Sequence, residues 1–142
     1  MAGDVRIEKS MDEPSDESES LGVTSREDAI ALRDSFDRAE RERIERTTAS
    51  LLALLGKAHA MAVLSEFAFA EEPLRFSDLE AALDIAPNTL SARLGDLTDA
   101  ELLDRREYGE VPPRVEYTPT TKAESLFPVF AHLHHWTIEY EV

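Results

Sequence analysis

A mainly α-helical fold with one small β-hairpin is predicted by three features: apolar residues at helical spacing through most of residues 24–140, two strand-like runs joined by a Gly- and Pro-bearing turn near residue 110, and an apolar share of 42% in 142 residues. That length suits one domain able to bury its own core. There are no cysteines, which excludes a disulfide framework, a thiol switch and cysteine-ligated zinc. No segment approaches the ~20 apolar residues that span a bilayer. The first residues lack the charged-then-apolar layout of a signal peptide, so a cytoplasmic protein with no membrane partner is expected.

Thirty Asp and Glu stand against 15 Lys and Arg, a net charge of −15. The bases are 12 Arg and only 3 Lys (Lys9, Lys57 and Lys122). Such a surface repels itself in dilute buffer and is tolerated where molar salt shortens the Debye length to ~3 Å. The composition resembles that of a halophilic, salt-in microbe of archaeal type. Nine of the acids, with three bases, fall in residues 1–28 among glycines, serines and Pro14. Residues 1–23 are expected to be an acidic disordered tail, because they hold little apolar surface to offset the entropy of ordering. Residues 24–142 then form the domain.

The first helix starts on Thr24 with Glu27 or on Ser25 with Asp28, each a hydroxyl and an acid that cap free amides. A long helix over about 25–46 should follow. Its Ala29, Leu32, Phe36 and Ala39 recur at steps of three, four and three, a thin seam among i,i+4 ion pairs such as Asp34 with Arg38. A second helix over 48–70 carries Leu51, Leu52, Leu54, Leu55, Met61, Val63, Leu64 and Phe67 on most sides and reads as the central core helix. His59 on it is expected at the core or its rim.

After Pro73 comes a short extended piece, Leu74-Arg75-Phe76, and then a short helix capped by Ser77 and holding Leu79 and Leu83. The next helix begins with Pro87 at its first position, where a missing amide costs nothing, and runs to about residue 100. At 100° per residue Leu90, Leu94 and Leu97 share one face, with Asn88, Ser91, Ala92 and Gly95 opposite. Strand-like runs over 102–108 and 114–118 follow, joined by residues 109–113. Short helix, turn, second helix and hairpin is the order of a winged helix-turn-helix.

Four pieces in order carry a family likeness. They are Leu54-Leu55-Gly56-Lys57, Leu74-Arg75-Phe76-Ser77-Asp78-Leu79, Ala86-Pro87-Asn88-Thr89-Leu90-Ser91-Ala92-Arg93-Leu94, and above all Tyr108-Gly109-Glu110-Val111-Pro112-Pro113-Arg114-Val115-Glu116-Tyr117. Over about residues 44–140 the chain resembles the HxlR-type winged-helix transcriptional regulators. The resemblance implies a homodimer that grips DNA, with the second helix of the helix-turn-helix in the major groove and the wing beside it. The chain departs from the family pattern where it has no cysteine before Gly56-Lys57, Ala58 where Trp often follows, Ala86 in place of a capping Ser, and Gly95 at a position often basic.

On the reading helix, Asn88 can pair bidentately with adenine, and Thr89, Ser91 and Ala92 stand where base edges or phosphate come within reach. The competing reading of this face is a solvated surface. Gly95 either permits close backbone approach or is drift. Arg93 either meets phosphate or pairs with a nearby acid. In the wing, Arg114 is the first choice for the minor groove and Arg105 and Arg106 for phosphate, against pairing with Asp104, Glu107 and Glu116. Arg75, Lys57 and Lys122 are weaker phosphate candidates. Residues 87–122 hold five bases and seven acids, a net of −2, so counterion release should be weak. Direct contacts, shape and salt cations near the interface would decide affinity.

The last helix, from about 120 to 140, repeats Leu126, Val129, Leu133, Trp136 and Tyr140 at steps of three, four, three and four, and Pro128 should bend it. This seam and that of Leu32 and Phe36 are expected to build a dimer interface, which implies a near-palindromic operator. The alternative is burial within one chain. His132 and His135, three residues apart, are weak metal candidates, and no cofactor is expected. Three function classes follow: a DNA-binding regulator that is not an enzyme, a winged-helix assembly module that reads no DNA, and a metal hydrolase that lacks a nucleophile constellation.

Overall fold

A computed structural model describes residues 22–142. The expected acidic tail lies outside the described residues apart from its last two positions, Gly22 and Val23. The described chain falls into two compact units, one ending at Arg46 and the other running from Thr47 to Val142.

In the first unit, α1 (Arg26–Asp34) is capped by Ser25, whose Oγ accepts the Asp28 amide at 3.1 Å while the Asp28 carboxylate accepts the Ser25 amide at 3.0 Å. One long helix over 25–46 does not form. The Ser35 hydroxyl donates to the Leu32 carbonyl at 2.6 Å. A new helix, α2 (Arg38–Leu55), then starts on Asp37, whose carboxylate accepts the Glu40 amide at 2.8 Å and whose amide donates to Glu40 at 2.9 Å. A reciprocal cap of this kind competes with the i→i+4 ladder and wins locally. The break also diverts the expected Asp34–Arg38 pair, for Arg38 instead meets Glu42 at 3.1 Å. Leu32 and Phe36 are half-buried and line a small pocket with Ala29, Arg41 and Ile44.

The helix expected over 48–70 is also two pieces. At its end α2 tightens, with the Lys57 amide bonding the Leu54 carbonyl three residues back, and the chain turns through His59 at φ 67. α3 (Ala60–Phe69) then begins. His59 is exposed at this turn rather than at the core or its rim, because the left-handed backbone swings it out ahead of the helix. α2 buries no residue and leaves Leu52 63% exposed, so the core helix is α3 alone, through Ala60, Val63, Leu64 and Phe67.

β1 (Leu74–Arg75) leads directly into α4 (Phe76–Ala82). Its N-cap is Arg75 and not Ser77, since the Asp78 carboxylate accepts the Arg75 amide at 2.8 Å and leaves Ser77 exposed in the first turn. α5 (Pro87–Asp99) buries Leu90, Leu94 and Leu97 against α3, α4 and the sheet, within one continuous core. β2 (Leu103–Tyr108) and β3 (Arg114–Pro119) match the expected strands to within a residue. They join β1 in an antiparallel sheet of order β1-β3-β2. The fold is therefore mostly helical with a small three-stranded sheet, the winged helix-turn-helix expected.

α6 (Thr121–Glu124) and α7 (Phe127–Glu139) replace the single last helix. Pro128 does not bend a helix interior, because it sits in the first turn of α7, where no intrahelical donor is needed. Phe130 of α7 enters the core, whereas Val129, Leu133, Trp136 and Tyr140 are exposed, with the Trp136 and Tyr140 rings 5.1 Å apart. Among the described residues no single helix is long and apolar enough to cross a membrane.

Candidate nucleic-acid interface

The leucine spacing of α5 puts one face in the core and so fixes what the other can present. Asn88, Ser91, Ala92 and Gly95 are exposed and Thr89 is half-buried. The first turn of α5 is uncharged, and its N-cap Ala86 gives no side-chain hydrogen bond, so the leading amides of the helix rely on other partners. A Cβ built on Gly95 would meet nothing within 4 Å, so no packing inside the described chain calls for glycine there.

Arg93 is drawn back from this strip. Its Nε donates to the Ala58 carbonyl at 2.8 Å and its Nη1 to the Asp96 carboxylate, and only 19% of the side chain is exposed. Lys57 reaches the same carboxylate at 3.3 Å. Loss of water around Asp96 pushes its pKa up, and the bonds and charges of Arg93 and Lys57 outweigh this, holding it below the usual aspartate value. Two of the candidate cations thus meet at a carboxylate that tethers α5 to the turn between α2 and α3. Asp96 was absent from the sequence-based candidates, although its i,i+3 spacing from Arg93 was a readable signal.

Antiparallel register sorts the wing arginines. Arg106 lies opposite Glu116, Tyr108 opposite Arg114, and Arg75 of β1 opposite Glu116 as well, so all five stand on one face of the sheet. The other face carries Leu74, Leu103 and Tyr117 into or against the core, with Arg105 beyond them pairing to Glu107 at 3.5 Å. Arg114 is 30% exposed, 3.4 Å from Glu116 and 3.6 Å from Glu110, and its guanidinium lies 4.3 Å from the centre of the Tyr108 ring. Arg75 reaches Glu116 at 4.0 Å. Arg106 sits 5.0 Å from the same ring, and among the described residues no carboxylate pairs with it. Tyr108 and Glu116 as holders of arginine were not singled out from the sequence.

Lys122, a weaker phosphate candidate, spends its ammonium on the Ala100 carbonyl at 2.8 Å. His132 and His135 are exposed, and among the described residues no group of three or more His, Cys, Asp or Glu side chains could hold a metal ion.

The family model described as HxlR-like helix-turn-helix matches residues 54–141. A protein of Halalkalibacterium halodurans, described as an uncharacterized HTH-type transcriptional regulator, is 36% identical over 89 residues, which are 62% of this chain and 78% of that one. The reduced form of the transcriptional regulator YodB from B. subtilis matches with a TM-score of 0.58 at 28% identity, over 66% of this chain and 91% of that one. A MarR-family protein of Porphyromonas gingivalis shares the fold at 22% identity, with a TM-score of 0.59 over 66% of this chain and 91% of that one.

Proposed function

The chain belongs to the HxlR-like helix-turn-helix family of transcriptional regulators, which are not enzymes, and from that premise we propose that it binds double-stranded DNA as a homodimer at high salt. α5 enters the major groove and the wing lies along the neighbouring backbone and minor groove. The observation that carries this reading is the exposed strip of Asn88, Ser91, Ala92 and Gly95, small and uncharged, on a helix whose opposite face is locked into the core by three leucines. A strip of that kind lets the helix sit deep in a groove and leaves Asn88 able to make the two hydrogen bonds that distinguish adenine.

The dimer uses the exposed stripe of Val129, Leu133, Trp136 and Tyr140, next to Leu126, which is half-buried against the core, and the half-buried Leu32 and Phe36. A two-fold arrangement makes the operator near-palindromic, with half-sites about 10 bp apart. With a net charge of −15, little of the affinity comes from counterion release, and salt cations sit between acidic surface and phosphate.

The test is selection of duplexes from a random-sequence library in molar KCl, followed by fluorescence anisotropy on the winning duplex. The expected outcome is a near-palindrome whose affinity stays flat or rises with KCl wherever the fold is intact. Asn88→Ala should cost about 1–3 kcal/mol, concentrated at one position of each half-site. Failure to enrich any sequence would overturn this reading in favour of a winged-helix assembly module, and a steep loss of affinity with added salt would overturn its high-salt part.

A further inference from the structure

The sheet carries three arginines on one face, Arg106 and Arg114 in the wing and Arg75 on β1, and they are not equivalent. Glu116, whose side chain is only 17% exposed, stands between Arg75 and Arg114 and lies directly across from Arg106. Arg114 divides its charge between Glu116 and Glu110 and packs on Tyr108, leaving less than a third of it in solvent. Arg106 is exposed and rests near the same ring without a carboxylate partner among the described residues. A ring attracts a guanidinium through its face without offsetting its charge, whereas carboxylates at 3.4 and 3.6 Å offset that of Arg114, whose buried Nε makes no hydrogen bond to them.

We propose that Arg106 is the wing residue that contacts a DNA phosphate, and that Glu116, by holding Arg114 against the Tyr108 ring, is the positioning residue that fixes the ring beside which Arg106 lies. This rests on the DNA-binding reading above; of the two expected phosphate contacts it keeps Arg106 and not Arg105, and it moves Arg114 from the minor groove to a supporting role. The arrangement has a physical purpose on so acidic a chain. Three unpaired arginines packed on one small face would repel one another, and Glu116 between two of them, helped by Glu110 at Arg114, relieves that repulsion while Arg106 keeps its charge for the ligand. The chemistry recognised is a phosphodiester oxygen, through charge-assisted N–H donation.

The proposal makes a sign prediction that simple charge does not. Removing an acid beside a polyanion should tighten binding, so if Glu116 were only a surface charge, Glu116→Gln would raise affinity for DNA. If Glu116 positions Arg106 through Arg114 and Tyr108, Glu116→Gln weakens binding despite the added net positive charge, and Glu116→Asp restores part of the loss.

The experiment uses the full chain and the duplex that wild type selects, with a scrambled duplex of the same length, in anisotropy titrations. Arg106→Ala is expected to weaken both duplexes by a similar factor, at least about tenfold, as a phosphate contact should. Tyr108→Leu is expected to lie between Arg106→Ala and wild type. Arg106 is exposed and outside the core, so thermal melting of Arg106→Ala should match wild type and separates loss of contact from loss of fold. Arg106→Ala binding as tightly as wild type, or Glu116→Gln binding more tightly, overturns the proposal while the DNA-binding reading stands. Selection of no duplex by wild type would instead overturn both.

Discussion

Gly95 is the residue at which packing and recognition pull apart. It lies in the middle of α5 with nothing within 4 Å of where a Cβ would be, so nothing inside the described chain asks for glycine there. Gly95→Ala should stabilise the fold by about 1 kcal/mol, visible as a rise in melting temperature, because alanine restricts the unfolded chain and favours helix. If the backbone of α5 approaches a duplex closely at this point, the same methyl group should reduce affinity for the selected duplex. A more stable variant with unchanged DNA binding would show that glycine there is drift. Asn88 and Gly95 could be placed on the outward face from leucine spacing alone, because a 3.6-residue period assigns faces without knowledge of the rest of the molecule. The roles of Glu116 and Tyr108 could not, because they depend on which residue stands across the hairpin, and the length of the connecting turn sets that register.

At the scale of elements, α5 is held near its middle by an ionic tie and at its far end by a hydrogen-bonded joint. Asp96 carries the tie, and its pKa is depressed in the folded state. The stability it contributes is therefore fully present above the ordinary aspartate value of 3.8 and is lost as pH falls through the lower folded value. Asp96→Asn should be less stable than wild type at neutral pH, and the gap should close below about pH 3.8. Hydrogen exchange of the α5 amides against pH, at fixed salt, would read this directly, and a gap that persists in acid would disprove it. Element types were legible throughout: α5, β2 and β3 fell within a residue or so of expectation, because turn chemistry and alternation agreed there. The long helices were not, for a plain reason. The apolar period runs unbroken across Ser35 to Asp37 and across Gly56 to His59, while the caps and tightened bonds that cut the helix involve polar atoms to which the period is blind.

For the whole molecule the feature on which the proposed assembly turns is the outer stripe of α7. Leu133 and Trp136 are 44% and 45% exposed, while Phe130 on the same helix is buried, so one side of α7 is committed to the core and the other is not. A dimer through this stripe predicts that the chain sediments at twice 15.9 kDa in molar KCl. Leu133→Asp, which would force a carboxylate into that interface, should weaken self-association by at least about a hundredfold and lower DNA affinity with it. Equilibrium sedimentation that finds wild type monomeric would remove the homodimer and the palindromic operator together.

The joint at the far end of α5 has a mechanical consequence. Thr120 Oγ1 donates to the Glu101 carbonyl at 2.7 Å and Lys122 Nζ to the Ala100 carbonyl at 2.8 Å, so the short α6, which leads into α7, is latched to the last backbone groups behind α5. Displacing α6 must either drag the tail of that helix along or break these two bonds and the one from the Thr120 amide to the Leu102 carbonyl at 3.1 Å. A load applied through the C-terminal helix therefore reaches α5 along a lever a few residues long, without having to travel through the sheet.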